Sequence, residues 1–337
     1  MDARDRDARR SPLATGLTSA LLAALLLPGC AFWGSGSATA GETDDTTGGS
    51  AATETESTTA AASTEITVAT FNVHLFFDTV CDSGQCSADD FEEVATAAGF
   101  EARADELAAA IAALEADVVL LQEIENQSCI DALAARLPEF TAIHLGEQGY
   151  PGSIDTAVLS TLPTLAVFTH LDEEFPHPEG GTTSFTRALL EIHHDVGGQR
   201  LITFAAHFRS KVFDDPGRRL AEGQRAGEWI ALRGVDYPEA MIVLGGDLND
   251  TPGSPPLAAL EGAADVTRVA AELEDDTTLI YGGKAQALDH IYVSDAAAGA
   301  HVAGSTMIFR ADTAMAWTGW GGSDHAAVRA TFTFDAP

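Results

Sequence analysis

The sequence predicts an α/β domain over residues 65 to 337, behind an N-terminal tail of different composition. Three observations lead there. Short apolar, β-branched runs recur along the chain and finish in a polar residue, as buried strands do when they deliver side chains to a sheet edge. The first two enclose a segment with apolar residues at helical spacing, giving strand, helix, strand. After residue 64 there is no second composition break and no internal repeat, so one domain plus a tail accounts for the 337 residues.

Glu65–Val73 alternates apolar and polar residues, is β-branched, and reads as the first strand, with Asn72 at its far end. Phe100–Ala116 sets Leu107, Ile111 and Leu114 at helical spacing with Ala between them. Asp117–Glu123 is a short apolar strand ending in an acid. Further strands are expected at Thr141–Leu145, Asp155–Ser160, Ser184–Asp195 and Arg200–Phe208. A helix is expected at Arg218–Leu232, with Leu220, Gly223, Gly227 and Ile230 on one side. Residues 240–246 make the next strand. Its Gly245-Gly246 pair is read as a tight turn, beyond which Asp247 and Asn249, two residues apart, point the same way. Thr251–Pro256 is expected to stop regular structure. Ala287–Val293 and Gly322–Val328 complete the strands, with Asp289, His290, Asp324 and His325 near their starts.

The tail begins with Arg9-Arg10, an apolar core at Leu17–Leu27, then Pro28-Gly29-Cys30. A basic region, a short apolar segment and a small-residue cleavage site make residues 1–29 an export signal, too short to remain as a membrane span. Cysteine directly after the small residue resembles a bacterial lipoprotein signal, in which Cys30 is lipidated and becomes the mature N-terminus. The alternative is an ordinary secretory signal cut nearby. The lipoprotein reading places the protein in the cell envelope, at the outer membrane or cell surface, held by its lipid. Residues 30–64, nearly all Ala, Gly, Ser, Thr, Glu and Asp after the first few, cannot bury enough apolar surface to fold and read as an acidic, extended tether.

Cys81, Cys86 and Cys129 remain, in a compartment that permits disulfides. Cys81 and Cys86 flank Asp82-Ser83-Gly84-Gln85, a turn composition, so a local bridge is the simplest pairing; a bridge from Cys129 to either is open, and zinc binding is a third reading without paired histidines behind it. The net charge is -33. Of the 18 Lys and Arg residues, four lie in the first ten positions and eight fall between 187 and 233. Charges beyond about 8 Å are screened at physiological salt, so an acidic body can still present a cationic site. Arg187, Arg209 and Lys211 are the candidates for it.

Polar groups collect at the expected strand ends: Asn72, Glu123, His207, Asp247, Asn249, Asp289, Asp324 and His325. Each alone has an ordinary explanation as a turn former or half-buried side chain. Six strands that all carry, at one end or the other, residue types suited to phosphoryl transfer do not.

The motifs Phe71-Asn72-Val73, Leu121-Gln122-Glu123, Ala206-His207, Gly246-Asp247-Leu248-Asn249, Leu288-Asp289-His290 and Ser323-Asp324-His325 resemble, in order and spacing, the endonuclease/exonuclease/phosphatase superfamily, over essentially all of residues 65 to 335. The resemblance implies a four-layer α/β sandwich: two packed mixed, mainly antiparallel sheets with outer helices, and an active site across one edge. It implies a Mg²⁺ or Mn²⁺ ion, with Glu123 the principal ligand, Asn72 positioning it, and Asp324 supporting the metal or Asn249. Asp247 would orient and deprotonate the attacking water, with Asn249 bonding phosphate or water. His325 would contact the scissile phosphate with its tautomer fixed by Asp289, and His207 would donate to a phosphoryl oxygen or the leaving group. Where the abasic-site enzymes of the family have an acid two residues beyond the asparagine, this chain has His74, which favours one ion over two.

Ala206-His207-Phe208-Arg209-Ser210-Lys211 resembles a stretch of bacterial extracellular nucleases in this superfamily. Arg187, Arg209 and Lys211 would then grip flanking phosphates of a nucleic acid without regard to sequence, with Phe208 and Phe213 as stacking partners. A nuclease acting on DNA, or on RNA, is the leading expectation, and no protein partner is indicated. A phosphodiesterase acting on lipid head groups is the alternative: Trp317 and Trp320, before Asp324, would enter a membrane surface there, or else cover the core edge. An inactive surface binding module is a third reading, disfavoured by the intact polar set.

Overall fold

The computed structural model describes residues 63–335 except 213, 314–315 and 318, and not the side chains of 312, 313, 316 and 317. The export signal, Cys30, the tether before residue 63, Phe213 and the Trp317 side chain lie outside the described residues.

Twelve strands build two six-stranded sheets. The strands of the first are β1 (Thr64–Phe76), β2 (Val118–Ile124), β3 (Ala142–Gly146), β4 (Asp155–Ser160), β11 (Met307–Phe309) and β12 (Ala327–Phe334), in the order β11-β12-β1-β2-β4-β3. Those of the second are β5 (Thr164–Thr169), β6 (Leu190–Val196), β7 (Gln199–His207), β8 (Met241–Asp247), β9 (Val266–Arg268) and β10 (Asp289–Ser294), in the order β9-β10-β8-β7-β6-β5. Each sheet holds a single parallel pair, β1 with β2 and β7 with β8, and all other pairings are antiparallel.

The central strands are buried on both faces, which is why their sequences run continuously apolar. Val68, Leu120, Val158, Ile192, Val243 and Ile291 pack between the sheets. Their neighbours point outward: Phe71 and Leu121 meet Leu107 and Ile111 of α1 (Ala97–Ala112) and Ile130 of α2 (Gln127–Ala134). Phe204 and Leu244 meet Ile230 of α3 (Pro216–Asp236) and Leu257 and Leu260 of α4 (Pro255–Ala263). Three apolar seams between helices, sheet, sheet and helices make the expected four layers.

Several local expectations are corrected. Gly245 and Gly246 lie inside β8, not at a turn. A Cβ on Gly246 would collide with the Ala206 carbonyl oxygen of β7, and one on Gly245 would sit 2.7 Å from Leu120 Cδ1 of the opposite sheet, so the pair permits close approach. Regular structure resumes within the proline-rich segment, because Pro255 opens α4, where its missing N–H costs nothing. The expected strand at Ser184–Asp195 begins only at Leu190, and the one at Gly322–Val328 only at Ala327. Edge strand β5 and helix α2 stand where no element was expected. Cys81 pairs with Cys86, and Cys129 is a buried free thiol 3.1 Å from the Phe76 carbonyl. Trp320 covers the core edge: its indole donates to Ala110 O at 3.1 Å and meets Phe309 edge-on.

On α3 the expected glycine side faces α4. A Cβ on Gly227 would sit 2.6 Å from Leu260 O, whereas one on Gly234 would meet nothing within 4 Å. Gly227→Ala should therefore destabilise the protein by about 1–3 kcal/mol, while Gly234→Ala should stabilise it by up to about 1 kcal/mol; urea unfolding of the two variants checks both signs.

Candidate active site

The two parallel pairs end at the same edge. β1 and β2 deliver Asn72 and Glu123, and β7 and β8 deliver His207 and Asp247, which stand opposite each other in register. The Asn72 carboxamide crosses between the sheets, donating to Glu123 Oε1 at 3.0 Å and Asp247 Oδ2 at 3.1 Å. Asp247 Oδ1 accepts the Asn249 N–H at 2.9 Å. His325 Nδ1 is 2.8 Å from Asp289 Oδ2, and its Nε2 lies 3.8 Å from Asp247 Oδ2. His207 Nε2 stands 3.8 Å from Asp247 Oδ2 and 4.0 Å from Glu123 Oε1.

Backbone strain concentrates here. Among described non-glycine residues φ is positive at His74, Leu75, Glu123 and Asn249, and elsewhere only at Glu115. Such conformations cost about 1–3 kcal/mol each and persist where surrounding structure over-determines them. Glu123 is the bulge residue of β2, where the ladders to β1 and β4 both shift register, and its Oε2 accepts the N–H of Leu75 at 2.9 Å. One strained segment thus holds the other.

Burial, with Asp289 and Glu123 nearby, raises the Asp247 carboxyl to about 7, against the lowering effect of His325. Burial alone would lower His325, but the charges of Asp289 and Asp247 raise it to about 10, so it is an imidazolium at neutral pH. Burial, then the charges of Arg187 and His325, hold His207 well below its ordinary value, leaving it neutral. Ligand atoms of Asp247, Asp289 and His325 lie within 4.8 Å of one another, and Asp289 Oδ1 is buried without a hydrogen bond. Crowded, incompletely satisfied carboxylates with Glu123 beside them fit a hard, oxygen-seeking divalent cation.

Asn72, Glu123, His207, Asp247, Asn249, Asp289 and His325, far apart in sequence, are thus gathered in one place. Asp324 stands at the rim on a turn, and its carboxylate meets His74 Nδ1 at 3.2 Å. It does not support Asn249, whose amide donates instead to Phe208 O at 3.1 Å. Arg187 sits on a bend before β6, not on a strand, with Nη1 3.4 Å from Phe208 O. Lys211 pairs with Asp250 at 3.1 Å. Two supporting residues had no role assigned from the sequence. Glu222, buried on α3, accepts the N–H groups of Thr186 and Arg209, each at 2.6 Å, and so fixes the segments bearing Arg187 and Arg209. Ser323 Oγ donates to Asn72 O at 2.8 Å and accepts the His325 N–H at 3.0 Å.

The endonuclease/exonuclease/phosphatase family pattern matches residues 69–325. The chain belongs to this family. Members are metal-dependent phosphoric ester hydrolases, and this chain is an enzyme of that class. Solved structures agree on the fold. TDP2 from C. elegans is 16% identical, with a TM-score of 0.56, covering 80% of this chain and 75% of that one. D. rerio TDP2 complexed with a single-strand DNA product is 18% identical (TM-score 0.53; 80% and 98% covered). Beta toxin from Staphylococcus aureus is 15% identical (TM-score 0.51; 79% and 99%). No curated protein matches the chain in sequence.

In this family member the His325 imidazolium links pH to stability. Its folded pKa exceeds its unfolded value near 6.5, so its stabilisation is complete below that pH and is lost as pH climbs toward about 10. Asp155, raised by burial to about 8, and the Cys129 thiol, pushed up by burial, act with the same sign. In EDTA, Tm should fall from pH 7 to pH 10, and less steeply in Asp289→Asn, which removes the nearest anion; an equal slope would remove Asp289 from that role.

Proposed function

We propose that this enzyme is an exported nuclease that hydrolyses DNA, or RNA, phosphodiester bonds by in-line attack of water, with one Mg²⁺ or Mn²⁺ ion. The observation that carries this reading is the cationic row beside the site. Arg187 touches the Phe208 carbonyl, Arg209 follows it, and Lys211 reaches Asp250, one residue past Asn249. Phosphates on either side of a scissile bond would meet such a row, whereas a single head group would use only part of it.

The family's metal would be held by Glu123 with Asn72 and Asp324 near it, and when bound it neutralises charge on phosphoryl oxygens. Asp247, fixed by Asn72 and the Asn249 N–H, takes the proton of the attacking water. The His325 imidazolium, aimed by Asp289, faces the phosphoryl oxygens, and neutral His207 offers them a hydrogen bond.

Supercoiled plasmid should be nicked with Mg²⁺ or Mn²⁺, not in EDTA, and Asp247→Ala should lower kcat by about 10²–10⁴-fold. Raising salt from about 50 to 200 mM should weaken DNA binding steeply. Intact plasmid together with turnover of sphingomyelin would give the site to a lipid head group instead. For export, we infer lipidation at Cys30: labelled palmitate should enter the wild-type protein and not Cys30→Ser, which should leave the membrane fraction.

A further inference from the structure

We propose that Thr278, which lies outside every motif in the sequence, is the positioning residue of the His325–Asp289 pair. The proposal rests on the reading of that pair as part of the active site. Thr278 is fully buried, and its Oγ1 accepts two backbone N–H groups, Leu288 at 2.9 Å and Asp289 at 3.1 Å. Its carbonyl accepts the Ala326 N–H at 2.8 Å, and the next residue, Leu279, forms an isolated antiparallel bridge with His325. Its own N–H donates to Gln286 O at 2.9 Å. One residue therefore grips the start of β10, which carries the carboxylate, and the segment carrying the imidazole.

The grip matters because Thr278, beside the Leu279–His325 bridge, ties these two segments directly to each other on that side. Asp289 is the first residue of β10. Its β8 flank is set by pairing opposite Asp247 and by the Leu248 N–H on Leu288 O at 2.9 Å, while its other flank offers two N–H groups to a single hydroxyl. A hydroxyl oxygen has two lone pairs and can accept both. His325 Nδ1 depends on the position of Asp289 Oδ2, whose partner oxygen Oδ1 has no hydrogen bond to hold it. Loss of the Thr278 oxygen would leave two buried N–H groups unpaired and let the start of β10 drift, and the Asp289–His325 bond with it.

The test uses Thr278→Ser, which keeps the oxygen, Thr278→Cys, a weak acceptor, and Thr278→Val, which has none. The first readout is the low-field proton resonance of His325 Nδ1–H in metal-free protein, identified by its absence in His325→Gln. It should stay in place in Ser and move upfield or exchange away in Cys and Val. The second is turnover of a small phosphodiester, where kcat should fall by about 10- to 100-fold in Cys and Val with KM unchanged and recover in Ser. A residue with a merely structural role would lower Tm in Cys and Val but leave resonance and kcat at the Ser level, and that result overturns the proposal. If Val does not fold, Cys against Ser decides. Absent turnover in the parent protein would count against the nuclease reading alone, since the resonance still reports on Thr278.

Discussion

One carboxamide joins the two halves of this protein. Asn72 belongs to the first sheet, yet its Nδ2 reaches Asp247 of the second as well as Glu123 of its own. That reach exists because the sheets close on each other at this edge, where Gly245 leaves room for Leu120. It also requires that both parallel pairs point their C-terminal ends the same way. The pairing pattern repeats in the two sheets, antiparallel, parallel, antiparallel, antiparallel from β12 to β3 and from β10 to β5. A parallel neighbour puts two strand ends side by side, and two such pairs face to face bring four ends together.

The cost of that convergence appears in the electrostatics. Asp247, Asp289 and Glu123 crowd together, with His325 the only imidazolium among them, and burial, with the charges of Asp289 and Glu123 added to it, raises the carboxyl of Asp247. Backbone N–H groups, with Arg187 close by, hold the crowd in place. Leu75 N–H binds Glu123, Asn249 N–H binds Asp247, and of these four residues Leu75, Glu123 and Asn249 have left-handed φ. Strain and charge crowding are thus placed where a divalent cation and a phosphate would relieve or use them.

Much of this was legible in the sequence, for a definable reason. Strands buried on both faces announce themselves as apolar runs, so the two central pairs and their terminal polar residues could be read from β1, β2, β7 and β8. Periodicity says nothing about left-handed backbone, which is why Gly245-Gly246 reads as a turn although the left-handed residue is Asn249. It is equally silent on single long-range contacts. Asp324 sits beside Ser323 and His325 in one motif, yet a turn before β12 sends it to His74 at the rim while His325 goes inward. Glu222 reads as one more charged position on an amphipathic helix, and only the fold reveals that it is buried against the N–H groups of Thr186 and Arg209.

The placement of Glu222 also bears on how so acidic a protein would handle the polyanion of the proposed reaction. With a net charge of -33, the body repels nucleic acid at long range. Attraction then has to come from charges within about 8 Å of the bound phosphate, the distance at which salt screens the rest. Arg187 is half-buried and is held close to Glu123 and Asp247, so its charge acts where the surrounding medium screens least. The carboxylate that fixes its segment is itself taken out of water, where it competes little for the substrate. A nuclease built this way would engage a phosphate chain only at its cleft, trading tight general binding for release after each cut.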